Sequence, residues 1–225
     1  MYDQELPEWS EELGQELLAT LPLFVSIPRS GCNWLQAVME LYFNRHRAFK
    51  GENTPTWLES KYENPMWMHT HDNFNHENIS TNKPAIFLWR DPVDTIYSLA
   101  KLQKNENNPS AILGWCGRFA RCYKKWAIDQ KNVLVVKYEN VLEHPMQEMK
   151  RISEWHGVEF NEAQARRALE IVGDKRSVNE KNGTNKAFKN QDSHTKPYEQ
   201  ERERFRDVYG SMIKETVSKV LADLG

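Results

Sequence analysis

The sequence predicts an α/β fold, a central parallel sheet with helices on both faces. Two observations carry this expectation. Short, fully apolar runs ("LFVSI", "PAIFLWR", "NVLVVKY") read as buried strands, and each is followed by a segment with helical spacing of its apolar residues. Strands that alternate with helices along a chain pair in parallel and are covered on both sides. A third feature is local. In "PLFVSIPRSGCNW" a strand runs into a tight Gly-containing turn with a cationic side chain and then into a helix, a P-loop-like arrangement. Free N–H groups and the helix dipole converge at such a turn and make it a natural anion site.

In chain order, residues 1–21 hold a short amphipathic helix with Trp9, Leu13, Leu17 and Leu18 on one face. The strand "LFVSI" ends at Pro28, and "NWLQAVMELYF" is the helix after the turn. A Trp- and Tyr-rich loop with Gly51, Pro55 and Pro65 leads into "MWMHTH", read as a strand. "PAIFLWR" is the clearest buried strand, and Pro92 sits in the first turn of the helix "PVDTIYSLAKL". "SAILGWCGRFARCYKKWA" reads as one long helix and "NVLVVKY" as a further strand. Two helices follow, "HPMQEMKRISEWHG" and "NEAQARRALEIV". Residues 173–197 are polar and basic and read as a long loop, and a final helix starts at Tyr198. There is no internal repeat, and residues 1–225 read as one domain.

Composition narrows the classes of function. A net charge of -2 and a pI near 6.4 leave no general nucleic-acid footprint. No apolar run reaches the roughly 18 residues of a membrane span. The acidic N-terminus lacks the layout of a signal peptide. Cys32, Cys116 and Cys122 form no CxxC pair, which fits a reducing compartment, so the expected location is cytoplasmic.

Three elements carry candidate chemistry. "PRSGCNW" lacks the spaced glycines and the Gly-Lys-Ser/Thr ending of a full Walker A. Taken alone it is also compatible with an ordinary strand-to-helix connection. In "WRDPVDTIYS", Arg90 lies at the carboxyl end of a strand, where open α/β sheets bind ligands. Ser98 stands about two helical turns further on, and the pair can grip one phosphate. Alternatively, Arg90 pairs with Asp91 or Asp94. In "MHTHDNF", His69 and His71 are spaced to share one side of a strand. A His there is a candidate general base. Zinc is not expected, since no third ligand lies nearby in the sequence.

Together, "IPRSGCNW", "HTH", "RDPVDTIYS" and "VLVVKYENVLEHPMQEMKRISEWHGVEF" follow the order and approximate spacing of the sulfotransferases that use PAPS (3′-phosphoadenosine 5′-phosphosulfate). "GWCGRFARCYKKWA" and "FKNQDSHTKPYEQERERFRDVY" are similar to that family's later segments, so the resemblance covers roughly residues 22–210. It implies that the anion is the 5′-phosphosulfate, cradled by backbone amides from Ser30, Gly31, Cys32, Asn33 and Trp34. Arg29 would contact the oxygen bridging phosphorus and sulfur. Trp34 and Tyr138 would reach the adenine, and Arg90 and Ser98 the 3′-phosphate. Lys181, Asn182 and Gly183 resemble the family's basic loop over the donor.

The implied reaction is in-line displacement at sulfur, with His71 as base, Arg29 stabilising the leaving group, PAP as product and no metal. Cys32 and Asn33 replace threonines common in the family's loop, and His69 stands where a Lys is common. The implied acceptor is a hydroxyl or amine of a small molecule, and the aromatic stretch from Trp57 to Phe74 could wall its pocket or simply pack the core. Two alternatives are a P-loop kinase of a small metabolite and a catalytically inactive PAP- or nucleotide-binding module.

Overall fold

The computed structural model describes residues 20–45, 47, 65–72, 82–182 and 196–225, with 174–182 and 196 described as backbone only. The expected strands pair because they are largely apolar and can pack on both faces. Strands β1 (Leu23–Ser26), β2 (Met68–Thr70), β3 (Ala85–Trp89) and β4 (Val133–Lys137) make one sheet in the order β2-β1-β3-β4. All three pairings are parallel. Phe24 lies opposite His69, Val25 opposite Phe87, and Trp89 opposite Lys137. The carboxyl ends of all four strands therefore lie along one edge. The chain leaves β1 towards β2 on one side and β3 on the other, so the switch in strand order falls at the end of β1.

Side chains alternate across a strand, and the two faces build separate cores. Leu23, Val25, Ala85 and Phe87 pack with Ile96, Trp115, Phe119, Trp126, Phe205 and Ile213. Those partners come from α2 (Pro92–Gln103), α3 (Pro109–Tyr123), the turn after it and α7 (Lys196–Asp223). Phe24, Ile86, Leu88 and Val136 pack instead with Leu35, Met39, Tyr42, Ile152 and Ala165. That second layer belongs to α1 (Cys32–Phe43), α5 (Pro145–Trp155) and α6 (Glu162–Asn182), with the short α4 (Tyr138–Glu143) leading into it. The expected parallel sheet with helices on both faces is what the chain forms. Asp91 starts α2 by accepting from the amides of Val93 and Asp94 at 2.9 and 3.2 Å, ahead of Pro92.

Several boundaries differ from the sequence reading. The long helix of "SAILGWCGRFARCYKKWA" is α-helical only to Tyr123 and widens into a π-helical turn at Lys124–Ile128. That wider turn accompanies the burial of Trp126, whose indole N–H reaches Asp72 at 2.7 Å. The polar segment from Gly173 is helical as far as Asn182, so the expected loop at 173–197 is shorter. The segment continues a helix already nucleated and packed on α1, despite the low helix propensity of its Gly, Asp, Ser and Asn residues. The strand in "MWMHTH" is limited to Met68–Thr70, and His71 lies just past it. Trp67 is 1% exposed and donates to Gln36 Oε1 at 3.2 Å, so it packs the core and walls no acceptor pocket. The N-terminal helix at 1–21 and the aromatic residues Trp57 and Tyr62 lie outside the described residues, apart from Thr20 and Leu21 at its end.

His156, which follows α5, shows how burial sets pH dependence here. Its ring packs edge-on against Phe43 and Trp155, with centroids 5.1 and 4.8 Å away. Burial, and then the charge of Arg45, pull its pKa down to about 4. The unfolded chain takes up the proton first, near the ordinary value of about 6.5. Its contribution to stability is therefore complete above that pH and is lost as pH falls towards 4. Comparing urea-unfolding free energies at pH 7 and 4.5, we expect His156→Phe to remove about 2–3 kcal/mol of the acid-induced loss. An unchanged loss would mean that the buried ring is not the group taking up the proton.

Candidate functional site

The turn after β1 is shaped from inside. Ser30 is fully buried, and its hydroxyl donates to the Ile27 carbonyl at 2.6 Å while its amide donates to the same oxygen at 3.2 Å. This closes a tight turn, and the chain passes through left-handed conformations at Arg29 (φ 70) and Gly31 (φ 87). Gly31 caps α1 with no side-chain hydrogen bond, and the first turn of α1 holds no acidic residue. The Trp34 amide turns back to the Gly31 carbonyl at 3.1 Å. Among the described residues, none of the Gly31, Cys32 and Asn33 amides donates to a backbone carbonyl. Of the five amides expected to face an anion, those of Ser30 and Trp34 are therefore engaged within the loop, and of the other three, at the helix mouth, the Asn33 amide faces the Cys32 sulfur. An uncapped N-terminus of this kind attracts negative charge.

Gly31 is required here for a second reason. A Cβ at this position would stand 2.2 Å from Cε2 of Tyr138, which opens α4 beyond the end of β4. The Tyr138 ring thus lies directly against the loop, and the guanidinium of Arg90 sits over that ring at 5.0 Å. Trp34 and Tyr138, both partly buried, pack against the same apolar cluster.

Arg90 follows β3. It pairs with Asp94, one of the two acids expected beside it, but at 3.4 Å the contact is long. Asp94 is held more closely by Arg206 of α7, at 2.6 Å. The Nε atoms of Arg90 and Arg206 are both buried with no partner among the described residues. Ser98, 6% exposed on α2, accepts from Nε of Arg29 at 2.9 Å. Burial lowers the pKa of Arg29, Tyr198 and Cys32 oppose the shift, and the charge of Arg90 adds to it. Three arginines thus gather at the edge beside two acids, Asp91 and Asp94, of which Asp91 is committed to capping α2.

His69 and His71 meet at Ser26. The Ser26 hydroxyl lies 2.9 Å from Nε2 of His69 and 3.1 Å from Nδ1 of His71. Nδ1 of His71 also lies 2.8 Å from the Ser26 carbonyl oxygen. A carbonyl only accepts, so Nδ1 carries the proton and Nε2 of His71 keeps the lone pair. His69 is held well below its ordinary pKa, first by burial, then by His71 and Arg47. Asp72 is fully buried, salt-bridged to Lys125 at 2.9 Å and bonded to Trp126.

The structure thus brings Arg29, Ser30, Gly31, Cys32, Asn33, Trp34, Arg90, Ser98, Tyr138 and His71 to one edge of the sheet. Lys181 and Asn182 fall on the last turn of α6 rather than on a loop, and Gly183 lies outside the described residues. Sequence reasoning missed Ser26, Asp72 as an anchor and Arg206. Ser26 lies one residue past the Val25↔Thr70 pair, which puts it opposite His71, a register that the sequence alone does not give. The expectation that no third metal ligand lies nearby is corrected: the ligand atoms of Cys32, His69 and His71 all lie within 4.8 Å of one another.

Residues 22–210 match the family profile described as "Sulfotransferase domain". Among solved structures, mouse sulfotransferase SULT7A1 complexed with PAP aligns with a TM-score of 0.51 at 20% identity, covering 72% of this chain and 70% of that one. Retinol dehydratase in complex with androsterone and inactive cofactor PAP aligns with a TM-score of 0.51 at 14% identity, covering 89% and 79%. At these identities the likeness establishes the fold. No curated protein sequence matches the chain. Among the described residues, no helix is long and apolar enough to cross a membrane.

The contact between Gly31 and Tyr138 can be tested by a double-mutant cycle. Gly31→Ala is expected to cost about 2–4 kcal/mol in unfolding free energy, from left-handed strain plus displacement of the ring. In a Tyr138→Ala background the same change should cost only the strain, about 1–2 kcal/mol. Equal costs in both backgrounds would show that the ring does not press on the loop.

Proposed function

The chain belongs to the sulfotransferase domain family, and on that premise we propose that it moves a sulfuryl group from PAPS to a hydroxyl or amine of a small-molecule acceptor. The observation that carries this reading is a pair of separate anion-seeking features on one sheet edge. One is the uncapped start of α1, and the other is Arg90, whose buried Nε has no partner among the described residues. Tyr138 lies between them, against Gly31 on one side and Arg90 on the other. A donor with phosphate groups at its 5′ and 3′ positions and a flat base has this distribution of charge and apolar surface. PAP is bound in both related structures described above.

In this reading the amides of Gly31 and Cys32 receive the 5′-phosphosulfate, joined by that of Asn33 when it turns from the Cys32 sulfur, and the buried Ser30 hydroxyl shapes their turn. Arg29 faces the bridging oxygen, and through Ser98 it joins that site to the 3′-phosphate site of Arg90 and Ser98. Trp34 and Tyr138 flank the base. Lys181 and Asn182, at the end of α6, together with Gly183 are the residues assigned to the donor's basic loop. His71 accepts the acceptor's proton at Nε2, because Nδ1 is committed to the Ser26 carbonyl. The acceptor oxygen or nitrogen then bonds to sulfur as the bond from sulfur to the PAP oxygen breaks. Arg29 stabilises the charge that develops on that departing oxygen. Asp72 is unsuited as the base, since Lys125 and Trp126 hold its carboxylate in the core.

PAP is expected to raise the melting temperature well beyond ATP at equal concentration, since only PAP carries the 3′-phosphate assigned to Arg90 and Ser98. In calorimetry, Arg90→Ala should weaken PAP by about 2–4 kcal/mol and leave adenosine 5′-phosphosulfate nearly unchanged. Equal stabilisation by ATP and PAP would overturn the donor assignment.

For the base, His71→Ala should keep PAP affinity while turnover on an acceptor, found by screening pooled hydroxylated metabolites, falls roughly 10²-fold or more. Asp72→Asn should instead lower stability by about 2 kcal/mol or more, as a broken buried ion pair does. Full turnover in His71→Ala would remove that residue from the reaction. PAP binding with no turnover on any acceptor would favour a binding module.

A further inference from the structure

We propose that Cys32, His69 and His71 form a binding site for one thiophilic divalent cation of the zinc class, placed where the ion also governs His71. The three residues are 37 and 39 positions apart along the chain, and only the parallel pairing of β1 with β2 unites them. Their ligand atoms all lie within 4.8 Å of one another. Bond lengths of about 2.1 Å to nitrogen and 2.3 Å to sulfur in a tetrahedral shell separate ligands by roughly 3.3–3.6 Å, so the set must close by about 1 Å.

The rings are already turned for this. Their planes stand at 82° with centroids 4.6 Å apart, and both present a nitrogen to the Ser26 hydroxyl. Cys32 also hydrogen-bonds the Ser26 side chain, so this hydroxyl marks the point on which the three donors converge. The Asn33 amide faces the sulfur of Cys32 and orients it, as outer-shell groups do around metal ligands.

One sulfur and two imidazole nitrogens select zinc, cobalt or copper over magnesium and calcium, which prefer oxygen. Three protein ligands leave a fourth position for an oxygen of Ser26 or of water, the pattern of an exchangeable site rather than a closed structural one. Cys32 is 8% exposed, while both histidines are partly accessible at the carboxyl edge, so the ion enters past the rings. On binding, the S–H bond of Cys32 breaks, a metal–sulfur bond forms and the proton leaves to water, with no redox change. A neutral imidazole has a single lone pair. The ion binds Nδ1 of His71, which gives up the Ser26 carbonyl as the ring proton moves to Nε2. No lone pair then remains to accept a proton, and this consequence rests on the base role proposed above.

The test uses the full chain freed of metal with a chelator. Addition of Co²⁺ should give a thiolate-to-cobalt charge-transfer band in the near ultraviolet that saturates at one equivalent, and Zn²⁺ should abolish it. Cys32→Ser should lose the band, and both Cys32→Ser and His69→Gln should bind Zn²⁺ at least tenfold more weakly in competition with a chromophoric chelator. Circular dichroism would check that the variants are folded, and His71→Asn serves where one is not. Absence of the band in the unaltered chain would overturn the site, as would a band that disappears with Cys116→Ser or Cys122→Ser instead. These readouts need no turnover, so they stand or fall separately from the sulfuryl-transfer reading. Zn²⁺ that binds with these signatures yet leaves turnover unchanged would overturn the control of His71.

Discussion

Everything at the candidate site depends on the parallel pairing of β1 with a neighbour on each side. Phe24 sits opposite His69 and also opposite Ile86. Because the three strands run the same way, the Gly-containing turn, His71 and Arg90 emerge together. An antiparallel neighbour would carry its functional residue to the opposite edge. The pairing is in turn stabilised by burial on two faces, since Phe24 belongs to one core cluster and Val25 to the other. Both are 0% exposed, so a slip of one residue would exchange the two cores and cannot be tolerated.

Several polar groups at that edge are buried, and most are satisfied by one another. Ser30 closes the loop through a backbone carbonyl, Ser26 joins two histidines, and Asp72 ties the end of β2 to the π-helical turn through Trp126 and Lys125. Asp72 itself takes a left-handed conformation, φ 43, which the ion pair and the indole contact hold in place. Such a network positions His71 rigidly, because displacing one member exposes its partners unpaired in a medium of low dielectric. Among the described residues, the buried groups without a hydrogen-bond partner include the Nε atoms of Arg90 and Arg206, on the side where the second anion is proposed to bind, and Oε2 of Glu139.

Much of this was legible along the chain. The strands β1, β3 and β4 are apolar at nearly every position, and only burial on both faces makes such a pattern favourable in water. The start of α2 was legible in Asp91 and Pro92, a capping side chain followed by a residue that needs no amide partner. The end of α6 was not, because a polar helix on the surface and a polar loop have similar compositions. The break in α3 was hidden as well. The turn there carries Trp126 to Asp72, 54 residues away and contributed by a different element.

By itself, the sequence determined the fold class, the order of strands and helices along the chain and the turn that ends β1, for all of these follow from local patterns of apolar side chains and backbone preference. Tertiary structure decided what those patterns meet. It set the strand order β2-β1-β3-β4, the seating of Tyr138 on Gly31, and the bond from Arg29 to Ser98. It also joined Cys32 to His69 and His71, a cluster that the spacing along the chain had argued against. Contacts between residues far apart in sequence arise from packing and register. No local periodicity encodes the distance between two atoms on different strands.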